Sequence, residues 1–380
     1  MEINTTNLPA DVLREILGRL PVKSLVRFRC VCKSWDALIR SPEFINLHLN
    51  KSEEEKYNII LIMRLIKNAN KNVLSFHSNN ETLDTIAPDL EVPIFPDFGA
   101  VLLGPSNGIV CIVDGDNICL CNPAMREFRR LPDCPFEYPQ DFYRDREDLG
   151  FGYDPISNDY KVIRLVMLSH VDDYTYQVRA EIYSLNTNTW RELVNTPQQN
   201  LYNDSISISF RESLHWPLVD RILTFHLNSE EFTTIEYPDQ RVEYPDQGGI
   251  PRLGVRCLAV LEESLALITC ICDDSDSNSN YLRFVDDNKY KSIDIWFMKE
   301  YGVQESWTKV FSMRSLADIP LSLPLSFRKD EEELFIQSID GQFISYVLRH
   351  CQQLRKFNVY QHYPGGVVVS YTESLVSVQK

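Results

Sequence analysis

The chain has 380 residues, 44% of them hydrophobic and 11% aromatic, enough apolar material for a sizeable core and, at this length, about two or three domains. Its 38 Lys and Arg against 54 Asp and Glu leave a formal net charge of −16, so phosphate backbones are repelled and nucleic acid is a poor partner. A mean hydropathy of −0.24 and the lack of any apolar run near ~18 residues argue against a membrane span, and the first residues lack the basic and apolar regions of an export signal. A cytoplasmic protein is the expectation.

The charge is unevenly spread. Residues 1–50 carry seven Lys/Arg and five Asp/Glu, a balance of +2, whereas residues 51–380 carry 31 and 49, a balance of −18. Texture changes at the same place, so a boundary is expected near Asn50–Lys56.

The first part has helical periodicity. Leu8, Val12, Leu13, Ile16, Leu17 and Leu20 recur at spacings of three and four and form one apolar stripe, with Asn7 and Pro9 at its start and Gly18 and Pro21 at its end. A second run holds Val22, Leu25, Val26 and Phe28. A third holds Trp35, Leu38 and Ile39, and Pro42 is expected to stop it. Some fifty residues of short helices are marginal alone, yet they carry apolar groups on more than one face. Those faces pack either on the rest of the chain or on another protein.

Beyond residue 56 the period becomes two, with runs of Asp, Asn, Gly, Pro and Ser between strands. A loose unit of two strands, a polar turn, a bulky residue and a short third strand recurs. Its middle strands start near residues 73, 118, 181, 222, 293 and 343. Units of roughly 40–50 residues with several strands suggest a propeller of about six blades. Gly365–Val369 and Ser374–Val378 have no strand pair after them and are expected to complete the first blade and close the ring. A two-sheet sandwich is the competing arrangement.

The ten cysteines include three Cys-x-Cys pairs, of which Cys119/Cys121 and Cys270/Cys272 lie in alternating apolar runs. Without a C-x-x-C spacing, buried reduced thiols are expected, and neither a metal nor a cofactor. No G-x-S-x-G elbow, G-x-x-x-x-G-K-[ST] loop or H-E-x-x-H pair occurs, and the seven histidines are scattered; His215, beside Trp216, is expected to be an ordinary strand residue. No catalytic residue is expected.

Leu8-Pro9-Ala10-Asp11-Val12-Leu13, Leu20-Pro21-Val22-Lys23-Ser24-Leu25 and Cys30-Val31-Cys32-Lys33-Ser34-Trp35, in that order, resemble an F-box. The resemblance implies three helices over residues 1–50 that bind a Skp1-like adaptor and, through it, the cullin and RING subunits of an SCF-type ubiquitin ligase. By motif position the adaptor contacts are Leu8, Pro9, Ile16, Leu20, Leu25, Cys30 and Trp35, although Trp35 also suits holding the helices together. Asn122–Pro132, Gly150–Pro155, Asn158–Val162 and Ile182–Leu185 resemble the plant F-box-associated, Kelch-like region, here without the double glycine of strict Kelch repeats. The fold class implied is an α+β multidomain chain: the F-box, then an all-β propeller over residues 51–380 that binds substrate. Cys134–Arg144 and Lys299–Trp307 are similar to S-locus F-box proteins of gametophytic self-incompatibility. That likeness implies a non-self S-RNase, a basic ribonuclease, as the substrate captured in pollen and the pollen tube.

Candidate substrate contacts are the acidic residues Asp114, Asp116, Asp172, Asp173, Asp273, Asp274, Asp276, Asp286 and Asp287. Each run alone is a typical solvated turn; together their field raises the on-rate of a basic partner. A receptor for a different plant regulatory protein or glycoprotein, and a sugar-binding or hydrolytic propeller, are the other readings.

Overall fold

The computed structural model describes residues 9–54, 59–66, 69–93, 100–173, 175–197, 201, 206–238, 256–261, 263–272, 290–314, 321–328, 333–338, 342–348, 354–360 and 368–379. Pro9 and Pro21 stand immediately before α1 (Ala10–Leu17) and α2 (Val22–Phe28). Their carbonyls accept the first helical bonds, from Leu13 N at 3.0 Å and Leu25 N at 3.2 Å, so the missing proline N–H groups cost nothing. After α3 (Lys33–Ile39) the expected stop at Pro42 is instead a start: Pro42 opens α4 (Pro42–Glu54). A proline at the first helical position loses no hydrogen bond, and Ser41 Oγ caps the turn by accepting from Phe44 N at 3.2 Å. Four helices therefore replace the expected three, and the helical part runs to Glu54. No helix among the described residues is long and apolar enough to cross a membrane.

The single apolar stripe expected for α1 divides in two. Leu17 is buried with Val22, Leu25, Ile39 and Phe44, with Leu13 and Leu20 packed against them. Val12 and Ile16 point outward instead. Gly18 lets α4 approach, since a Cβ there would lie 2.7 Å from Leu47 Cδ2.

The remaining chain forms six four-stranded antiparallel sheets. The first contains β1 (Ile59–Ile66), β2 (Lys71–Ser78) and β3 (Thr85–Glu91). The second contains β4 (Val101–Ser106), β5 (Ile109–Asp114), β6 (Asn117–Asn122) and β7 (Glu127–Arg130). The third contains β8 (Phe142–Asp154), β9 (Asp159–His170), β10 (Tyr176–Ser184) and β11 (Thr189–Glu192). The fourth contains β12 (Ile208–Phe210), β13 (Ser213–Pro217), β14 (Arg221–His226) and β15 (Glu231–Glu236). The fifth contains β16 (Arg256–Leu261), β17 (Ser264–Cys272), β18 (Tyr290–Met298) and β19 (Trp307–Arg314). The sixth contains β20 (Leu321–Arg328), β21 (Glu333–Ser338), β22 (Gln342–Val347) and β23 (Leu354–Tyr360). β24 (Val368–Tyr371) then returns to pair with β1, Ile59 opposite Tyr371 and Ile62 opposite Val368.

Strands β24, β4, β8, β12, β16 and β20 neighbour one another in a closed ring, so each is the innermost strand of a blade. This is a six-bladed propeller, not a sandwich. The recurrent middle strands of the sequence are the third strand of every blade, β2, β6, β10, β14, β18 and β22. Both faces of a blade meet neighbouring blades, which is why β5 buries all six of its residues and alternation alone understates its apolar content.

The closure is only partly as expected. Val368 and Val369 do pair with the first blade, while Gly365–Val367 lie outside the described residues. Ser374–Val378 form no strand. They run as an extended tail over the second blade, where Asn122 Nδ2 donates to the carbonyls of Ser374 (3.0 Å) and Val376 (2.7 Å). The Glu127 carboxylate accepts from Ser377 Oγ (2.7 Å) and Val378 N (3.1 Å).

The cysteine expectation also needs dividing. Cys111, Cys119, Cys121 and Cys257 are buried free thiols, but Cys30 and Cys32 are exposed; Cys351 lies outside the described residues. Cys119 and Cys121 share one sheet face, and burial pushes the Cys119 thiol up to about 11.

Strand direction alternates within a blade, so the β4–β5 and β6–β7 turns lie at the end that carries the helices. The β5–β6 and β9–β10 turns lie at the far end. Gly108, in the β4–β5 turn, has φ +73°, and a Cβ there would sit 2.4 Å from Ser374 Oγ and 2.9 Å from the Thr372 carbonyl. Gly302 has φ +82° with open space around it. Gly108→Ala should therefore cost about 1–3 kcal/mol more in denaturant unfolding than Gly302→Ala, because it adds displacement of the tail to the same backbone strain. Equal losses would show that the tail contact contributes nothing.

Candidate functional site

Two surfaces carry the candidate residues: the helical module and the far end of the propeller. On the module, Val12 (43% exposed) and Ile16 (46%) lie one turn apart on α1, and Val31 (60%) follows α2. Pro9 and Cys30 are also exposed. Trp35 is half-buried, its ring edge-on to Phe28 at 5.6 Å, and it lines a shallow groove with Leu13, Arg14 and Leu38. Leu20 is half-buried, its carbonyl 2.9 Å from His48 Nε2. Leu8 lies outside the described residues.

Leu25 is a correction: it is fully enclosed in the module's own core, so its side chain shapes the module rather than meeting a partner. Val12 and Val31 were not among the residues singled out by motif position, although Val12 and Ile16 stand four apart, the spacing of one helix face. Charge frames this surface. Asp36 accepts from Arg29 (3.1 Å) and Arg40 (2.7 Å). Hydrogen bonds from Lys51 and Arg19 hold the Glu15 carboxyl below its usual range.

The module's core is completed by the other end of the chain. Leu375 is buried among Leu17, Val22, Leu25, Ile39 and Phe44, with Ala124 and Met125 of the β6–β7 turn against them. Glu373 accepts from Val22 N at 3.3 Å. Burial raises its pKa, and the Val22 N–H and the nearby charges of His48 and Lys23 only partly oppose this.

At the far end, the acidic residues have different situations. Asp114 is another correction: it is buried at the end of β5 and accepts from Asn72 Nδ2 of the first blade at 2.9 Å, so it joins two blades instead of facing a partner. Asp116, in the β5–β6 turn, is exposed and paired with Arg144, which lowers its pKa. Asp172 is exposed in the β9–β10 turn. Asp173 accepts from Thr175 N (3.0 Å) and Oγ1 (2.8 Å), bonds that depress its pKa. β17 ends and β18 begins at this same end. Asp273, Asp274, Asp276, Asp286 and Asp287 lie outside the described residues.

Beneath this end is a charged network that the sequence did not announce. Arg164, on β9 and buried, donates to Glu181 (2.9 Å), Glu147 (2.9 Å) and Tyr138 OH (3.1 Å). Burial works against its charge, but the hydrogen bond and field of Glu147, with those of the other partners, outweigh this and raise its pKa. Cys134 Sγ donates to Glu181 at 3.0 Å; burial and that carboxylate push the thiol up to about 11. The network ties the β7–β8 connection to the third blade.

His215 is enclosed between blades, with Nε2 2.7 Å from Tyr301 OH, and desolvation lowers it to about 4, so it is a neutral packing group. Among the described residues no three His, Cys, Asp or Glu are grouped to hold a metal ion.

The molecule is thus a helical module with outward apolar residues, fixed to one end of a six-bladed propeller. Comparison with known families agrees. The F-box domain matches residues 6–47 and the F-box associated beta propeller domain matches residues 59–378. The chain belongs to the F-box proteins with an F-box-associated propeller. Its relatives include F-box protein CPR1 of Arabidopsis thaliana, 26% identical over 96% of this chain and 88% of that protein. F-box/kelch-repeat protein At3g23880 of Arabidopsis thaliana is 29% identical over 84% of this chain and 83% of its own length.

Three outcomes follow from this geometry. Val12→Asp with Ile16→Asp should abolish co-purification of a Skp1-like adaptor with an unchanged melting curve. Leu25→Ala should instead lower unfolding stability by about 2–5 kcal/mol, as a core truncation does. The reverse pattern would exchange their roles. Glu373, with its folded pKa above the unfolded one, binds a proton more readily in the folded chain, so its charge costs stability that is regained as pH falls through the folded pKa. Glu373→Gln keeps an acceptor for Val22 N and should flatten this pH dependence, raising the melting point at neutral pH. A lower melting point there would mean that the charge stabilises the junction.

Proposed function

We propose that the protein is the substrate-recognition subunit of an SCF-type ubiquitin ligase. The observation that carries this reading is the F-box match together with the exposed Val12, Ile16 and Val31 on the module. These residues offer an apolar face to a Skp1-like adaptor, which brings the cullin and RING subunits. No group on this chain needs to perform chemistry: the ligase gains rate by holding a target near the ubiquitin-transferring subunits. The propeller, 31 Lys/Arg against 49 Asp/Glu over residues 51–380, presents its far end away from the module and captures the target there.

The target we assign is a basic non-self S-RNase in the cytoplasm of the pollen tube. Two things support this: the similarity of Cys134–Arg144 and Lys299–Trp307 to S-locus F-box proteins, and the acidic balance of the propeller, which favours a basic partner. The field accelerates encounter, while discrimination among alleles belongs to particular contacts.

The test is affinity purification of the tagged chain from pollen, with identification of adaptor and captured protein together. Recovery of adaptor with a ribonuclease supports both parts. Recovery of adaptor with some other protein keeps the receptor and removes the ribonuclease. In purified form, association with a basic S-RNase should slow clearly from low to physiological salt. A salt-independent association rate would remove steering from the account.

A further inference from the structure

One part of the far end has a composition that the acidic runs do not explain. Tyr143, near the start of β8, stands directly opposite Ser169 of β9, and Ser169 stands opposite Tyr176 of β10. Directly opposed residues project from the same sheet face, so the three form a row, with the tyrosine Cβ atoms about 10 Å apart. Both rings are well exposed, Tyr143 at 42% and Tyr176 at 46%. A bulge between Arg144 and Arg146 inserts Asp145, whose carboxylate accepts from Ser169 Oγ at 3.2 Å. The exposed Asp145 carboxylate thus lies beside the serine that separates two exposed aromatic rings.

This arrangement suits one kind of ligand group. Aromatic faces attract a guanidinium or ammonium, and a carboxylate beside them supplies the countercharge. The adjacent arginines have other partners: Arg144 bonds to Asp116 and Glu147, and Arg146 to Asp148. The surroundings have the same sign, since residues 130–145 and 168–177 contain six Asp/Glu against Arg130 and Arg144. The base is fixed on both sides. Phe142 and His170 meet edge-on at 5.0 Å, and Arg164 ties Tyr138 to β9.

We propose that Tyr143, Asp145 and Tyr176 form the seat for an exposed arginine or lysine of the captured protein, with Ser169 orienting the carboxylate. The inference rests on the propeller being the capturing part, and it names the surface and the recognised chemistry. The far ends of other blades supply charge but, among the described residues, no such row of two exposed tyrosines across three strands.

The test uses the full chain bound to its adaptor. Its probes are short synthetic peptides rich in arginine and lysine, matched peptides with glutamine in their place, and purified basic S-RNases. The wild type should bind the basic peptides and not the glutamine ones. Tyr143→Ala with Tyr176→Ala should weaken this about tenfold or more, and Asp145→Asn should weaken it too, with unchanged melting because all three side chains are exposed. Tyr143→Phe with Tyr176→Phe retains the rings and should retain most of the affinity. Absence of basic-peptide binding by the wild type, or equal binding by the double alanine variant, overturns the seat. The ribonuclease arm separates the two ideas. Peptides that need Tyr143 and Tyr176 with no S-RNase bound keep the seat and remove the ribonuclease. S-RNase bound equally by the double alanine variant keeps the ribonuclease and overturns the seat.

Discussion

The insertion of Leu375 into the helical core is the contact on which the arrangement of the molecule depends. β24 supplies the innermost strand of the first blade, and only a few residues later the same segment buries Leu375 against Leu17, Val22, Leu25, Ile39 and Phe44. Closure of the ring and completion of the helical module are therefore made by one continuous piece of chain. About fifty residues of helix have too little interior to be comfortably stable alone. Here the deficit is met from the propeller, through Leu375, Ala124 and Met125. A fixed junction follows, because the tail is held along the second blade by Asn122 and Glu127 before it can move relative to the helices. For the receptor role proposed above, which requires a target to be held at a set place relative to an adaptor, rigidity at this point has direct value.

Much of the architecture was legible because it repeats. The middle strands expected near 73, 118, 181, 222, 293 and 343 are the third strands of all six blades, where apolar residues on both faces leave a strong pattern. β8 was harder to see. Arg144, Asp145, Arg146, Glu147 and Asp148 interrupt its apolar character, a bulge shifts its register, and Gly150 and Gly152 look like turn residues. Those glycines are there because Trp216 and Leu227 of the fourth blade lie where their Cβ atoms would be. Long-range packing, not local preference, sets those positions.

The errors at the candidate sites have the same origin. Asp114 belongs to an Asp-Gly-Asp turn in sequence, but the partner that buries it, Asn72, is 42 residues away in another blade. Leu25 and Ile16 are both motif positions, and nothing local separates the enclosed one from the exposed one. The division follows from where α4 and Leu375 lie, and Pro42 signals equally the stop of one helix or the first residue of the next. No local pattern joins Tyr143, Asp145 and Tyr176, which are 33 residues apart from first to last and meet only through the register of three strands.

Net charge and site chemistry act at different distances. The propeller's excess of carboxylates produces a field felt beyond contact, yet several of those carboxylates are already partly offset by neighbours: Arg164 pairs with Glu181 and Glu147, and Arg144 with Glu147 and Asp116, two cations among three carboxylates. Such a cluster adds less to long-range attraction than its three carboxylates would alone, since only a net −1 remains beyond a few ångströms, and it contributes to holding the β7–β8 connection in place. In the proposed receptor, steering falls to the unpaired remainder. Selectivity then requires groups that are exposed, held in position and not already satisfied by an internal cation, which is a smaller set than the acidic residues as a whole. At the far end of the third blade, the buried network provides the rigidity and the tyrosine row provides the exposed groups. Recognition at the proposed seat would depend on strand register and side-chain chemistry rather than on the sum of the charge.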